Sequence, residues 1–249
     1  MELEERAADP LAGGLMQGYQ CGQLWGAALA AGAQAYRLLG PGPQAEAAAV
    51  MASQRIVDSF RERNREINCL ELTGIDLNNA QQQALRTFIK VFVEGRAIRC
   101  FSMAARCAQV SFREINTVLS VKHIEAPSAP VSCSAMLAQK MGLSDMQTIM
   151  AAGFAGGIGL SGGACGALGA AIWIIGMNKA RERDGNVGYE GPTVSDVIDR
   201  FVESADYEFE CSKIVGRKFE SVGDHASYVR DGGCSQIIAA LAAQGRILE

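Results

Sequence analysis

Gly162-Gly163-Ala164-Cys165-Gly166-Ala167-Leu168-Gly169 has an earlier echo in Cys21-Gly22-Gln23-Leu24. The likeness spreads outward from these two cysteines. Ala12-Gly13-Gly14-Leu15 precedes Cys21 much as Ala155-Gly156-Gly157-Ile158 precedes Cys165, with one residue fewer in between. Downstream, Ile56-Val57-Asp58-Ser59-Phe60 matches Val197-Ile198-Asp199-Arg200-Phe201, and Cys69 followed by Gly74 matches Cys211 followed by Gly216, at an offset near 142. Cys100, before Phe101-Ser102-Met103-Ala104-Ala105, pairs with Cys234, before Ser235-Gln236-Ile237-Ile238-Ala239-Ala240. Self-similarity at a fixed period marks a tandem duplication. We place a first copy at 12–110, a linker at 111–130 and a second copy at 131–246.

The chain has 249 residues, 49% of them hydrophobic and 20% charged, which suits a folded globular protein. A net charge of −4 and the lack of a Lys/Arg run remove the electrostatic footprint of nucleic-acid binding. The first residues, Met1-Glu2-Leu3-Glu4-Glu5-Arg6, are acidic rather than the basic-then-apolar order of a secretory leader, so the expected compartment is the cytoplasm. Eight cysteines there are expected as thiols, metal ligands or redox centres rather than as a disulfide framework.

Met146 to Asn178 is long enough to span a bilayer. Its many glycines interrupt a uniform helix, and the matching segment near Cys21 carries Gln17, Gln20 and Gln23. No membrane span is expected.

Leu85, Phe88, Ile89, Phe92 and Val93 repeat at helical spacing before Gly95, as do Val194, Val197, Ile198, Phe201 and Val202 after Pro192. No run shows the period-two alternation of a strand. Ala126-Pro127-Ser128-Ala129-Pro130 is the strongest break between the copies, and Gly40-Pro41-Gly42-Pro43 and Asp184-Gly185-Asn186-Val187-Gly188 mark loops in corresponding places. The predicted fold is all-α: a tandem duplication of a small helical, cysteine-containing domain.

No Cys-x-x-Cys occurs, which removes the thioredoxin dithiol, the zinc ribbon and the ferredoxin run. Any cysteine site must be assembled by tertiary packing. Each repeated cysteine opens a helical-looking segment, where free N–H groups and the positive dipole end are expected to favour thiolate. Glycines beside Cys165, namely Gly162, Gly163 and Gly166, would let backbone approach a bulky cofactor. Cys107 recurs nowhere and is expected in the core; it lies about 10 Å along a helix from Cys100, too far to share one zinc ion.

These residues resemble a family of redox-active proteins defined by a C_GCAxxG_C_C pattern. Cys133 looks like the family's first cysteine, Cys165 its Cys-Gly-Ala cysteine, Cys211 the third and Cys234 the fourth. Gly153-Phe154-Ala155-Gly156-Gly157-Ile158-Gly159 resembles the family's glycine-rich approach. Ala170 stands where the motif has glycine, with Gly169 one place early, and Leu160 and Gly163 replace polar residues. The first half retains Cys21, Cys69 and Cys100 without a counterpart of Cys133, and reads as a degenerate copy.

The resemblance implies redox or electron-transfer chemistry beside an oxidoreductase or other redox partner protein. The expected centre is an Fe–S cluster held by Cys133, Cys165, Cys211 and Cys234, with a reversible disulfide and structural zinc as the alternatives. A non-enzymatic helical binding module with merely buried cysteines remains the competing class.

Gly157-Ile158-Gly159-Leu160-Ser161-Gly162 fits the dinucleotide pattern G-x-G-x-x-G but lacks a strand before it. His123 and His225 are expected at the surface or in local hydrogen bonds. Trp25 and Trp173 are expected in the core. The halves are expected to meet about a pseudo-two-fold axis through Trp25, Leu29, Ile172 and Ile175, and a homodimer is open to such a chain.

Overall fold

The computed structural model describes residues 2–76, 96–121, 124–181 and 192–243. The expected helix over 85–93, the loop 184–188 and His123 lie outside the described residues. Twelve α-helices occur among them. In the first half these are α1 (Glu2–Arg6), α2 (Gly22–Leu39), α3 (Pro43–Asn64), α4 (Cys69–Thr73) and α5 (Arg96–Leu119). The second half has α6 (Cys133–Lys140), α7 (Asp145–Ala152), α8 (Gly166–Arg181), α9 (Pro192–Ser204), α10 (Cys211–Val215), α11 (Val222–Arg230) and α12 (Ser235–Ala242).

The fold is all-α, and the repeat is visible element by element. Helices α2 and α8 follow the paired cysteines, α3 and α9 begin with proline at the first turn, and α4 and α10 are five-residue helices closed by left-handed Gly74 and Gly216. A left-handed turn precedes each Cys-Gly helix, through Gly13, Gly14, Leu15 and Met16 in one half and Gly156 to Leu160 in the other. The repeat reaches beyond the expected boundaries, because α1 is the counterpart of α7. Helix α5 runs on through Leu119.

The halves exchange contacts reciprocally. Helix α1 packs on α8, and α7 packs on α2. Gly32 on α2 leaves room for the Ile149 carbonyl and Met150 of α7, while Gly176 on α8 leaves room for the backbone of Ala7 just after α1. Trp25 fills the space that Gly169 leaves and meets Phe154 edge-on at 4.8 Å. Trp173 donates its ring N–H to the Glu4 carbonyl at 3.0 Å. Both tryptophans are fully buried, and Leu29, Ile172 and Ile175 share their core, which runs unbroken through both halves. An isologous contact of the kind that joins two subunits is thus enclosed within one chain.

The uncharged stretch 146–178 resolves into α7, a buried turn and α8, and no helix among the described residues is long and apolar enough to cross a membrane. The G-x-G-x-x-G segment is part of that turn. Its amides are consumed internally, with the N–H groups of Gly159 and Gly162 donating to the carbonyls of Gly153 and Gly156 at 3.0 and 2.9 Å. Ile158 is a β-branched residue at φ 62°, an unfavourable backbone region held in place by complete burial.

Candidate functional site

A single residue pairing in each half places two cysteines side by side. Gln20 and Asn68 form an isolated antiparallel bridge, as do Ala164 and Glu210. The next residue after each bridging position is a cysteine. The Cys21 N–H donates to the Ile67 carbonyl at 2.8 Å and the Cys69 N–H to the Tyr19 carbonyl at 2.6 Å. In the second half, the Cys165 N–H donates to the Phe209 carbonyl at 2.8 Å and the Cys211 N–H to the Gly163 carbonyl at 2.7 Å. Residues separated by more than forty positions are thereby fixed at two adjacent helix starts.

Cys133 opens α6, where Ser132 caps the helix by accepting the Ala135 N–H. Cys234 caps α12 in a left-handed conformation at φ 61°. Desolvation by burial raises all four thiols of this half, and mutual repulsion adds to it. Cys165 feels Cys133 and Cys234, while Cys211 feels Cys165, Cys133 and Cys234. Cys133 and Cys165 belong to the main core, and Cys211 lies in a neighbouring apolar cluster. The charge of Cys133 is among the causes that raise Cys165, Cys211 and Cys234. Among the described residues no three of His, Cys, Asp and Glu are placed to hold a metal ion as they stand.

Backbone amides point at these sulfurs as expected for helix starts: those of Gly156 and Ser134 at Cys133, and those of Leu168 and Ala167 at Cys165. The expected thiolate does not follow. Burial pushes Cys234 up to about 12, and Cys21 in the first half also to about 12. A helix start contributes about 0.3–1 kcal/mol, equivalent to less than about one pH unit. Desolvation outweighs it. Burial thus keeps Cys21 and Cys234 in the neutral thiol form at neutral pH.

The glycines beside Cys165 have protein neighbours. A side chain at Gly163 would collide with the Gln20 amide and one at Gly166 with the Phe154 carbonyl, and one at Gly162 would press on Lys218 and Ser212 at 3.0 Å. The close approach that requires glycine is made by the protein itself, which removes the argument that these positions must face a cofactor. Gln20 is the residue that sequence reading missed. It is fully buried, donates to the Gly157 carbonyl at 2.9 Å and accepts the Ala164 N–H at 2.8 Å, so the first half braces the loop that carries Cys165. Its alignment with Ala164 in the repeat was the available signal.

His225 is buried rather than at the surface, and its Nδ1 lies 3.0 Å from the Val131 carbonyl, two residues before Cys133. Burial lowers its pKa. Tyr228 on the same helix hydrogen-bonds to Cys234. Helix α11 thus ties together both ends of the second half.

In the first half, Cys69, Cys100 and Cys107 are half-buried, against the expectation that Cys107 lies in the core. Cys100 is the fifth residue of α5 rather than its cap, and its carbonyl accepts the Gln23 side-chain amide at 3.2 Å. Cys107 Sγ lies 3.7 Å from Ser111 Oγ. After desolvation, the charges of Cys69, Cys100 and Cys107 all contribute to raising Cys21. A second, looser group of thiols is present where sequence reading left three residual cysteines.

A family model described as "Putative redox-active protein (C_GCAxxG_C_C)" matches the chain twice, over residues 2–115 and 131–245. No curated protein and no solved structure matches.

Proposed function

The chain belongs to the C_GCAxxG_C_C family of redox-active proteins in both of its halves, and from this premise we propose that the second half holds one Fe–S centre on Cys133, Cys165, Cys211 and Cys234. The observation that carries this reading is the coupling of four thiols delivered from four separate helix starts. Soft thiolate donors suit iron–sulfur chemistry, and a multinuclear centre spreads its ligands more widely than a single zinc ion does. When bound, the centre would supply one-electron redox chemistry to a partner oxidoreductase.

The residues of this chain have distinct tasks in that function. Burial of Cys133, Cys165 and Cys211 excludes water, and binding requires each thiol to release its proton. The amides of Gly156, Ser134, Ala167 and Leu168 direct positive dipoles at two of the sulfurs, which stabilises the more negative, reduced form. Tyr228 does the same at Cys234.

Anaerobic purification followed by iron, sulfide and visible-absorption measurement tests the proposal. Iron and sulfide in proportion, lost on Cys165→Ser, are expected. Stoichiometric zinc, or a disulfide among these four cysteines in metal-free protein, would replace the reading with one of its alternatives.

A further inference from the structure

Between the end of α3, α4 and the start of α5 lies a cleft of 330 Å³ whose lining includes Arg63, Arg65, Thr73, Arg99, Cys100 and Met103. A second cleft of 500 Å³ adjoins it, sharing Arg63, Arg99 and Met103 and adding Arg106 and Cys107. Thr73 closes α4, the helix that Cys69 opens, and its hydroxyl donates to the Cys69 carbonyl at 2.7 Å. Cys100 therefore borders a pocket rimmed by guanidinium groups, with Cys69 on the helix that forms its wall. Partial exposure beside fixed positive charge is the setting of reactive cysteines. The equivalent Cys234 is instead held by Tyr228.

We propose that Cys100 and Cys69 form a second thiol site, distinct from the centre of the second half, which undergoes exchange with small disulfides that carry carboxylates. The Cys100 thiolate attacks one sulfur of the disulfide. A mixed disulfide forms as the substrate S–S bond breaks, and the leaving thiolate departs past the arginines, whose charge stabilises it. Cys69 then attacks the Cys100 sulfur, closes a Cys69–Cys100 disulfide and releases the second substrate thiol. Two electrons pass from the protein to the substrate, and the two protons lost by the cysteines end on the two product thiols.

Cys69 is the resolving group on structural grounds. It opens α4, whose Leu72 and Thr73 line the same cleft as Cys100, and the charge of Cys100 contributes to raising it. Cys107 is two turns further along the same helix, about 10 Å away, and Cys21 is only 8% exposed.

The test uses the reduced full chain with two probes, dianionic dithiobis(nitrobenzoate) and uncharged dipyridyl disulfide, followed by thiolate release and peptide mapping. The fastest label is expected at Cys100, followed by a second release and a Cys69–Cys100 crosslink. Cys69→Ser should retain the Cys100 adduct and release a single equivalent. Replacing Arg63 and Arg99 together by Gln should slow the dianionic probe by about fivefold or more while leaving the uncharged probe within about twofold. First labelling at Cys107 or Cys69, or an Arg effect equal for both probes, would overturn the proposal.

Discussion

The second half buries three of its four cysteines and leaves Cys234 half-buried, whereas the first buries only Cys21 and sets Cys100 and Cys107 beside clefts. Cys133, Cys165 and Cys211 are buried, and Cys234 is anchored by Tyr228; Cys21 is buried, but Cys69, Cys100 and Cys107 are half-buried. The backbone devices are the same in both: a left-handed turn, one isolated bridge, and short helices closed by Gly74 or Gly216. What differs is the source of the remaining thiols. The second half draws Cys133 from an additional helix, α6, while the first places Cys100 and Cys107 on one long helix, α5. A duplicated scaffold can thus keep its geometry while the chemistry at its cysteines diverges, because the bridge fixes only two of each set.

The sharpest way to break this comparison is to remove one matched cysteine from each half. Cys165→Ser should abolish iron and visible absorption, since a hydroxyl is a poor replacement for a soft thiolate. Cys21→Ser should leave both in place. Loss in the second variant alone, by metal analysis, would transfer the centre to the first half.

The reciprocal interface comes next. Gly32→Ala and Gly176→Ala each introduce a methyl group into backbone of the opposite half, against the Ile149 carbonyl and the Ala7 carbonyl respectively. Each should destabilise the fold by about 1–3 kcal/mol, measured by urea unfolding as a shift in midpoint. If the two losses differ severalfold, the interface is not pseudo-symmetric.

Gln20→Ala sharpens the dependence of one half on the other. It leaves the buried Ala164 N–H without its acceptor, while the Gly157 carbonyl keeps the Ser161 hydroxyl, a cost of about 1–3 kcal/mol. It should also loosen iron in the second half although the residue belongs to the first. Normal iron retention with lowered stability would confine Gln20 to a packing role.

A further comparison concerns pH in the metal-free protein. Burial raises the folded-state values of Cys21, Cys133, Cys165 and Cys211, so above the unfolded value near 8.5 the unfolded chain loses protons that the folded chain keeps. Stability should therefore decline as pH rises past about 8.5, by up to about 1.4 kcal/mol per pH unit for each buried thiol. For Cys21 the window runs from there to about 12. Thermal unfolding of the parent and Cys21→Ala between these limits should show a shallower decline in the variant.

The sequence by itself determined the duplication, the all-α class, the pairing of Cys21 with Cys165 and of Cys69 with Cys211, and the burial of both tryptophans, because these follow from residue identity at a fixed offset and from helical periodicity. The protonation of the thiols was decided by tertiary burial: helix-start dipoles are visible in sequence, but the larger desolvation penalty depends on what covers each sulfur. The space at Gly162 and Gly163 was likewise decided by neighbours more than forty residues away, Ser212 and Gln20, and that at Gly166 by the Phe154 carbonyl. His225 and Tyr228 acquired their partners in the same way, and the arginine-rimmed cleft at Cys100 exists only where α3, α4 and α5 meet. A repeat specifies which local structures recur. The packing between them specifies which sulfurs are sealed and which face a pocket, since burial and electrostatic coupling are properties of three-dimensional neighbours.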